Sequence, residues 1–307
     1  MKRIPLLILL LLTASRLEAQ RSKRPAAPVG GMSRASRTID GVAGTISGRV
    51  GVAAMIIETG DLVMLHGNER FPMQSVYKVP IAMAVLQQVD ADKLQLSRVI
   101  HVRKQDMVQN VGSPMRDRTP NGTDATVREL LRAMVVESDG TASDMLLGLV
   151  PAADVTSMLK KLGVDSMRVV TTERAMAAKT MTQYENWSTP RAAVQLLRLL
   201  QQGHPISAPS RALLLSWMTE STTGLKRIRG ELPAGTVVAD KTGTDGTHNG
   251  LTRATNDIGI VTLPNGRHLA IAVFLRDAKG TAVQREAAIA KIARAAWGAA
   301  TASVRRK

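Results

Sequence analysis

The 307-residue chain has no cysteine, which excludes disulfide bonds, a lipidated N-terminal cysteine and a thiolate-bound zinc site. Aromatic residues are also scarce, with three Trp, two Tyr and two Phe. Leu, Ala, Val and fifteen methionines must therefore fill the interior. The five histidines show no metal-ligand spacing. We therefore expect no metal and no other cofactor.

The formal net charge of +16 would suit a nucleic-acid-binding protein. The basic residues are spread along the chain, however, with local clusters only at 21–37 and 305–307. The few aromatic side chains also offer little surface on which bases could stack. We therefore expect no nucleic-acid partner, and we interpret most of the charge as solvated surface.

The N-terminus has the pattern of a secretory signal peptide. Basic residues precede an apolar run that ends at Leu12, which is too short to span a bilayer, and small residues follow up to Ala19. This pattern predicts a cleaved signal peptide at residues 1–19, export to the periplasm and no membrane association after cleavage. An uncleaved anchor is the alternative. Residues 20–36 are rich in Arg, Pro, Ala, Gly and Ser, which predicts a disordered basic leader.

Strand patterns lie at both ends of the remaining chain, and helical patterns lie between them. β-branched runs occur within 50–66 and 236–275, and a closing helix is predicted at 282–300. Thr126 begins a capping box, whereas 170–187 lacks a clean period and is predicted to be a loop. The pattern predicts an α/β domain whose sheet is built from both ends of the chain, with an all-α subdomain inserted in it. In residue numbers, the domain covers 37–307, with its α/β part at about 37–70 and 215–307 and its α part at about 71–214.

Three short motifs occur far apart: Ser75-Val76-Tyr77-Lys78, Ser138-Asp139-Gly140 and Lys241-Thr242-Gly243. Alone, each is common and would be interpreted as a capping serine beside a surface lysine, a helix cap or an edge-strand lysine. Here the first is at a predicted helix start, the second between helices and the third on a strand. This order and context indicate one active site, and the set resembles the signature of the serine enzymes that recognise penicillin.

The first two motifs supply groups for acyl transfer. A serine hydroxyl is a weak nucleophile unless another group takes its proton, and Lys78 lies one helical turn from Ser75. Backbone N–H groups at the helix start are suited to an oxyanion. Ser138 adds a second hydroxyl, which could pass a proton to a leaving amine.

The third motif supplies groups that could bind a substrate. Lys241 and Thr242 are suited to hold a carboxylate, and Gly243 allows close approach of another backbone or of substrate. The backbone N–H of Thr244 could be a second oxyanion donor.

At this point the chain resembles the class A serine β-lactamases. The nucleophile segment Phe71–Pro80 carries the resemblance, and the segments 183–187, 241–246 and 254–259 are most similar to the PER and VEB extended-spectrum branch. The resemblance implies a β-lactamase/transpeptidase-like fold: a five-stranded antiparallel sheet flanked by helices, an all-α subdomain, and an active site in the cleft between them. It also implies a monomer that hydrolyses small-molecule β-lactams through an acyl-enzyme and so gives antibiotic resistance.

The resemblance further assigns roles to the motif residues. Ser75 would be the nucleophile, and Lys78 and Glu173 would share the acylation proton, with the principal base left open. Ser138 would relay a proton to the departing nitrogen, and Glu173 would activate the deacylating water. A loop ion pair between Glu173 and Arg174 is the alternative.

Three positions depart from the family pattern. Gly140 lacks the side-chain amide of the usual Asn, Ala177 replaces an Asn or His that helps to fix the hydrolytic water, and Asp245 replaces a serine. Arg253 is a candidate for the family's additional carboxylate counter-ion.

Two other functions fit the same three motifs. One is a D-alanyl-D-alanine carboxypeptidase or transpeptidase, and the other is a non-hydrolytic penicillin-binding or sensor domain. Glu173 and the single-domain length argue against the first, and Glu173 favours a hydrolase over the second.

Overall fold

The computed structural model describes residues 30–302 of the chain. Its helices are α1 (Gly30–Ala43), α2 (Lys78–Asp90), α3 (Pro114–Arg118), α4 (Val127–Val136), α5 (Gly140–Leu149), α6 (Ala152–Lys161), α7 (Glu173–Ala178), α8 (Pro190–Gln202), α9 (Ala208–Thr219) and α10 (Ala282–Ala302). Its strands are β1 (Arg49–Ile56), β2 (Leu62–Leu65), β3 (Phe71–Pro72), β4 (Val99–Arg103), β5 (Gly122–Thr126), β6 (Met167–Arg168), β7 (Trp187–Ser188), β8 (Val238–Thr244), β9 (Thr247–His248), β10 (Leu251–Thr262) and β11 (His268–Ala278). Short 3₁₀ turns span Gln74–Tyr77, Lys104–Asp106, Thr180–Glu185 and Ile228–Glu231.

The main sheet joins the two ends of the domain, as the sequence predicts. Its strand order is β2-β1-β11-β10-β8, every neighbouring pair is antiparallel, and the two-residue β9 pairs with β10. The first strand pairs with the last, with Val52 opposite Val273. The edge strand β8 carries the Lys241 motif, so the topology places this motif beside the helical part.

The sheet is buried on both faces because its side chains alternate. In β11, the odd-numbered residues from Leu269 to Leu275 pack in one core with Ile39 of α1 and Ile289 of α10. The even-numbered residues Ala270 to Phe274 join a second core, which includes helices α2, α4, α5, α8 and α9. The sheet thus separates two layers of helices, and the second layer is the inserted helical part.

The N-terminal boundary differs from the sequence prediction. Helix α1 begins at Gly30, so residues 30–36 are helical and are not part of a disordered leader. Ala35 and Ile39, one turn apart, are both buried against the sheet, which explains why the helix extends this far. The predicted signal peptide and residues 20–29 lie outside the described residues. Between residues 30 and 302, no helix has the length and apolar character needed to cross a bilayer.

The segment 170–187 is also more ordered than predicted. It contains the six-residue helix α7, which is too short to show a hydrophobic period. The Thr172 side chain caps the helix by accepting the Ala175 N–H. The Asp144 carboxylate of α5 accepts the N–H groups of Glu173 at 2.8 Å and of Arg174 at 3.0 Å. These contacts fix the start of α7, where Glu173 lies.

Candidate active site

A cavity of about 720 Å³ lies between the helical part and strand β8, and all three motifs contribute to it. Its lining includes most of the residues that the sequence predicts, namely Ser75, Lys78, Ser138, Glu173, Ala177, Thr242, Thr244 and Asp245. The sequence motifs are therefore brought together as predicted.

The segment before Ser75 is held against the sheet through its backbone carbonyl groups. Ser75 lies in the 3₁₀ turn Gln74–Tyr77, which leads directly into α2. The Asn256 amide of β10 donates to the carbonyl oxygens of Pro72 at 2.8 Å and Met73 at 3.1 Å. A Cβ atom at Gly243 would lie 2.2 Å from the Met73 oxygen, so only glycine fits there. Gly243 thus allows β8 to approach the chain beside the nucleophile.

Lys78 is the central cation of the site and is 1% exposed. Its Nζ donates to the Ser138 carbonyl oxygen at 2.6 Å and lies 2.9 Å from Glu173 Oε1. Removing one partner of such a buried pair would leave a desolvated charge uncompensated, so each group holds the other in place. Lys78 therefore links the helix start to the carboxylate of α7.

Lys241 reaches the same serine from the opposite side. Its Nζ donates to Ser138 Oγ at 2.9 Å, while Lys78 Nζ lies 3.5 Å from this oxygen. Burial and the nearby Lys78 charge lower the pKa of Lys241 to about 7. Ser138 itself has a positive φ of 59°, an uncommon conformation for a residue other than glycine. The hydroxyl of Ser138 thus lies between two lysines, in a position to exchange protons with either.

Glu173 is 5% exposed and is directed to Lys78 rather than to its sequence neighbour. The Arg174 guanidinium instead donates to the carbonyl oxygens of Gln105 at 2.9 Å and Asp106 at 3.0 Å. The alternative of a loop ion pair between Glu173 and Arg174 is therefore wrong. Burial and the Glu173 carboxylate raise the pKa of Tyr77, whose phenol is buried beside the site.

Arg227 is a functional candidate that the sequence does not reveal. It is 5% exposed, lines the cavity, and its Nη2 donates to Thr244 Oγ1 at 2.8 Å. Thr242 Oγ1 shares a hydrogen bond of 2.7 Å with Thr223. Arg227 lies in the loop after α9, outside any motif, so no sequence signal marks it. It fits the role of additional counter-ion better than Arg253, whose Nη1 lies 4.0 Å from Asp245 Oδ2 and which does not line the cavity.

The second motif also contains residues with structural roles. Asp139 is fully buried and caps α5 by accepting the Ala142 N–H at 2.8 Å. It also accepts the Met115 N–H at 2.7 Å, which ties the start of α3 to the site. A Cβ atom at Gly140 would lie 2.7 Å from Val111 Cγ2. The space next to Gly140 is therefore occupied by the loop before α3, and a larger residue there would displace Val111.

Within the described part of the chain, no group of three or more His, Asp or Glu side chains is placed to hold a metal ion. The groups gathered at the cavity are a serine, two lysines, a second serine and a carboxylate. This set can transfer an acyl group and move protons, and the lysine and arginine beside it can bind an anion.

Comparison with known proteins gives concordant matches. Residues 34–300 match the model of a family described as the beta-lactamase enzyme family. The extended-spectrum beta-lactamase PER-1 of Pseudomonas aeruginosa is 41% identical over 251 residues, which is 81% of this chain and 81% of that protein. The beta-lactamase VEB-1 of the same organism is 37% identical over 84% of this chain and 88% of its own length. A crystal structure of a beta-lactamase from Chitinophaga pinensis is 49% identical, with a TM-score of 0.85, and covers 87% of this chain and 99% of that one.

Proposed function

Because the chain belongs to the class A branch of the beta-lactamase enzyme family, we propose that Ser75 is the nucleophile with which it hydrolyses the β-lactam ring of penicillins and cephalosporins. In this family the reaction passes through a serine acyl-enzyme and gives resistance to the antibiotic. We propose roles for the individual residues that the family resemblance implies and that the geometry of the cavity supports.

Acylation forms the Ser75 Oγ–acyl bond and breaks the lactam C–N bond. The Ser75 proton passes to the pair of Lys78 and Glu173, whose charged atoms are 2.9 Å apart. Ser138 then delivers a proton to the departing nitrogen and is resupplied by Lys78 or Lys241, which both lie near its hydroxyl. The backbone N–H groups of Ser75 and Thr244 bind the oxyanion, and losing one such donor typically costs about 3–4 kcal/mol of transition-state stabilisation.

Substrate binding and deacylation use the remaining groups. Lys241, Thr242 and Arg227 present positive charge and a hydroxyl to the carboxylate of the substrate. Glu173 takes a proton from water as the water attacks the ester, and Ser75 is released with its own proton restored. The Ala177 side chain offers that water no hydrogen bond, so Glu173 carries more of this task.

One observation supports this proposal above the others. A single buried lysine, Lys78, contacts both the Ser138 carbonyl at 2.6 Å and the Glu173 carboxylate at 2.9 Å inside the cavity that Ser75 lines. A penicillin-binding or sensor domain needs the first contact to become acylated. Only an enzyme that also releases the acyl group needs the buried carboxylate, so the arrangement favours hydrolysis over a penicillin-binding or sensor domain that stays acylated.

Replacement of Ser75 by alanine tests the nucleophile. We expect the purified S75A protein to fold like the parent and to hydrolyse no nitrocefin, because no other hydroxyl would form the ester. Thermal unfolding would verify that the variant is folded. Parental turnover in folded S75A protein would contradict the assignment.

We also infer that residues 1–19 are removed during export and that the mature protein is a periplasmic monomer. The basic start, the short apolar run and Ala19 before Gln20 support the cleavage and the export, whereas the monomer rests on the family resemblance. N-terminal sequencing and the native mass of periplasmic protein test it, and an intact N-terminus would contradict the cleavage.

A further inference from the structure

Asp245, one of the three departures from the family pattern, takes part in a hydrogen-bonded chain across one end of the cavity. The Gln183 amide nitrogen donates to Asp245 Oδ2 at 3.2 Å, and the Gln183 amide oxygen accepts from the Gln74 side chain at 2.6 Å. All three residues line the cavity. We call this chain, Gln74–Gln183–Asp245, the latch.

The latch is largely sheltered from water. Gln183 is 2% exposed, and the Asp245 side chain is 13% exposed. Two basic side chains lie near the carboxylate at longer range, His248 Nε2 at 3.8 Å from Oδ1 and Arg253 Nη1 at 4.0 Å from Oδ2. Gln183 therefore supplies the side-chain hydrogen bond that orients Asp245, while the Arg253 guanidinium lies close enough to offset part of its charge.

The latch connects the three segments that carry the chemistry. Gln74 directly precedes Ser75, and Asp245 directly follows Thr244 at the end of β8. Gln183 lies in the turn Thr180–Glu185, which follows the Glu173 helix, and its amide nitrogen also donates to the Thr180 carbonyl at 2.8 Å. The position of the segment after Glu173 is thus set by contacts to both the nucleophile turn and the β8 edge.

We propose that Asp245 is a positioning residue for deacylation. Its carboxylate holds Gln183, and Gln183 fixes the segment 173–185 at the distance from β8 at which Glu173 serves the acyl-enzyme. The serine of the family pattern has a shorter side chain and only one oxygen. The hydrogen bond that the Asp245 carboxylate accepts from Gln183 would therefore not form with the same geometry if this residue were serine. The kinetic part of this inference depends on the proposed function, whereas the structural part does not.

The proposal has a kinetic signature. kcat/KM covers the steps up to acylation, and kcat covers deacylation when that step is slow. If only deacylation is impaired, kcat and KM fall together and kcat/KM changes little. A hydrogen bond of ordinary net strength would change kcat by about threefold to tenfold. A residue that merely stabilised the fold would not separate the two parameters in this manner.

The test compares D245A and D245N with the parent and with D124A. Asp124 is an exposed carboxylate on β5, outside the cavity, so D124A changes the net charge equally. Two measurements are made: hydrogen–deuterium exchange of residues 173–185, and kcat and KM for benzylpenicillin. We expect D245A to exchange faster in this segment and to lose about threefold to tenfold in both kcat and KM. D245N keeps an acceptor oxygen and should behave like the parent, as should D124A.

Three results would overturn the latch: unchanged exchange in D245A, the same increase in D124A, or a D245N protein that behaves like D245A. The last result would mean that charge rather than the hydrogen bond matters. A fall in kcat/KM equal to the fall in kcat would overturn the role in deacylation. Absence of turnover in the parent would contradict the proposed function instead, and the exchange measurement would still decide whether the latch exists.

Discussion

Lys241 is the residue through which pH should act most directly on substrate binding. Burial and the Lys78 charge lower its pKa to about 7, so its ammonium is fully charged below this pH and loses its proton as the pH rises. A neutral amine attracts the substrate carboxylate less strongly. We therefore predict that kcat/KM for benzylpenicillin decreases above about pH 7, with a limiting slope of about tenfold per pH unit.

The matched control is K241R, because a guanidinium keeps its charge over the whole range. Measurement of kcat/KM between about pH 5.5 and 9 should show the decrease in the parent and a flatter profile in the variant. The same decrease in K241R would assign the titration to a group other than Lys241 and would contradict the prediction.

At the scale of single residues, the sequence identified the functional residues that lie in motifs. It missed a residue that is recognised only by its contact with a partner far away in the sequence. Ser75, Lys78 and Ser138 were placed correctly at one cavity because motif order and family resemblance both mark them, and Glu173 because the resemblance marks it. Arg227 has no such mark, because it is recognised only by its contact with Thr244, 17 positions away in sequence.

At the element scale, strands β8 and β10 bury two carboxyl groups beside each other. Asp257 pairs with Thr242 and Asp240 pairs with Gly259, so the two aspartates are diagonal neighbours on one face of the sheet. Burial raises the pKa of Asp240 to about 6, although Arg229 pairs with it. Burial and Asp240 raise the pKa of Asp257 well above the ordinary value of 3.8. The folded strands therefore retain protons that the unfolded chain releases.

The raised pKa values of Asp240 and Asp257 predict how the stability of the D257N variant differs from that of the parent as the pH changes. Because the folded pKa values are raised, the stabilisation from proton binding is present below about pH 4 and is lost as the pH rises toward and beyond about 6. The asparagine cannot ionise and can donate to Asp240. The free energy of unfolding of D257N should therefore increase relative to that of the parent as the pH rises, by at most about 1.4 kcal/mol per pH unit.

Chemical denaturation at about pH 4.5 and 7.5 checks this prediction, with D124N as an exposed control. A difference between D257N and the parent that stays constant with pH would contradict the raised pKa values. D124N should show little change at either pH.

Helices were predictable from the sequence where capping residues mark their first turn. The capping box at Thr126 forms as predicted, with Thr126 and Glu129 each accepting the other's backbone N–H. Helix α8 begins at Pro190 after a Thr189 cap, and both residue types are favoured at these positions of a helix start. Helix α7 was missed because its position depends on Asp144, a residue of another helix. The β4–β5 pair was missed as well, since its strands show no clear alternation.

At the scale of the whole molecule, the active site depends on how the chain closes. The nucleophile turn and the Glu173 helix belong to the inserted helical part, whereas Lys241 belongs to a sheet whose central pair joins the first and last strands. The α/β class was predictable because strand patterns occur at both ends of the chain, and the antiparallel sheet was implied by the family resemblance. The approach of β8 to the nucleophile turn was not predictable, because it depends on contacts between distant residues such as Asn256 and Met73.

The most direct test of the account is intact-protein mass spectrometry after mixing with benzylpenicillin. The central claim is that Ser75 is acylated and that Glu173 then releases the product. We predict that the parent shows at most a transient adduct with continued turnover, whereas E173Q accumulates a persistent adduct on Ser75, because the amide cannot take a proton from water. An E173Q protein that turns over at the parental rate without accumulating an adduct, or an adduct on another residue, would contradict the account.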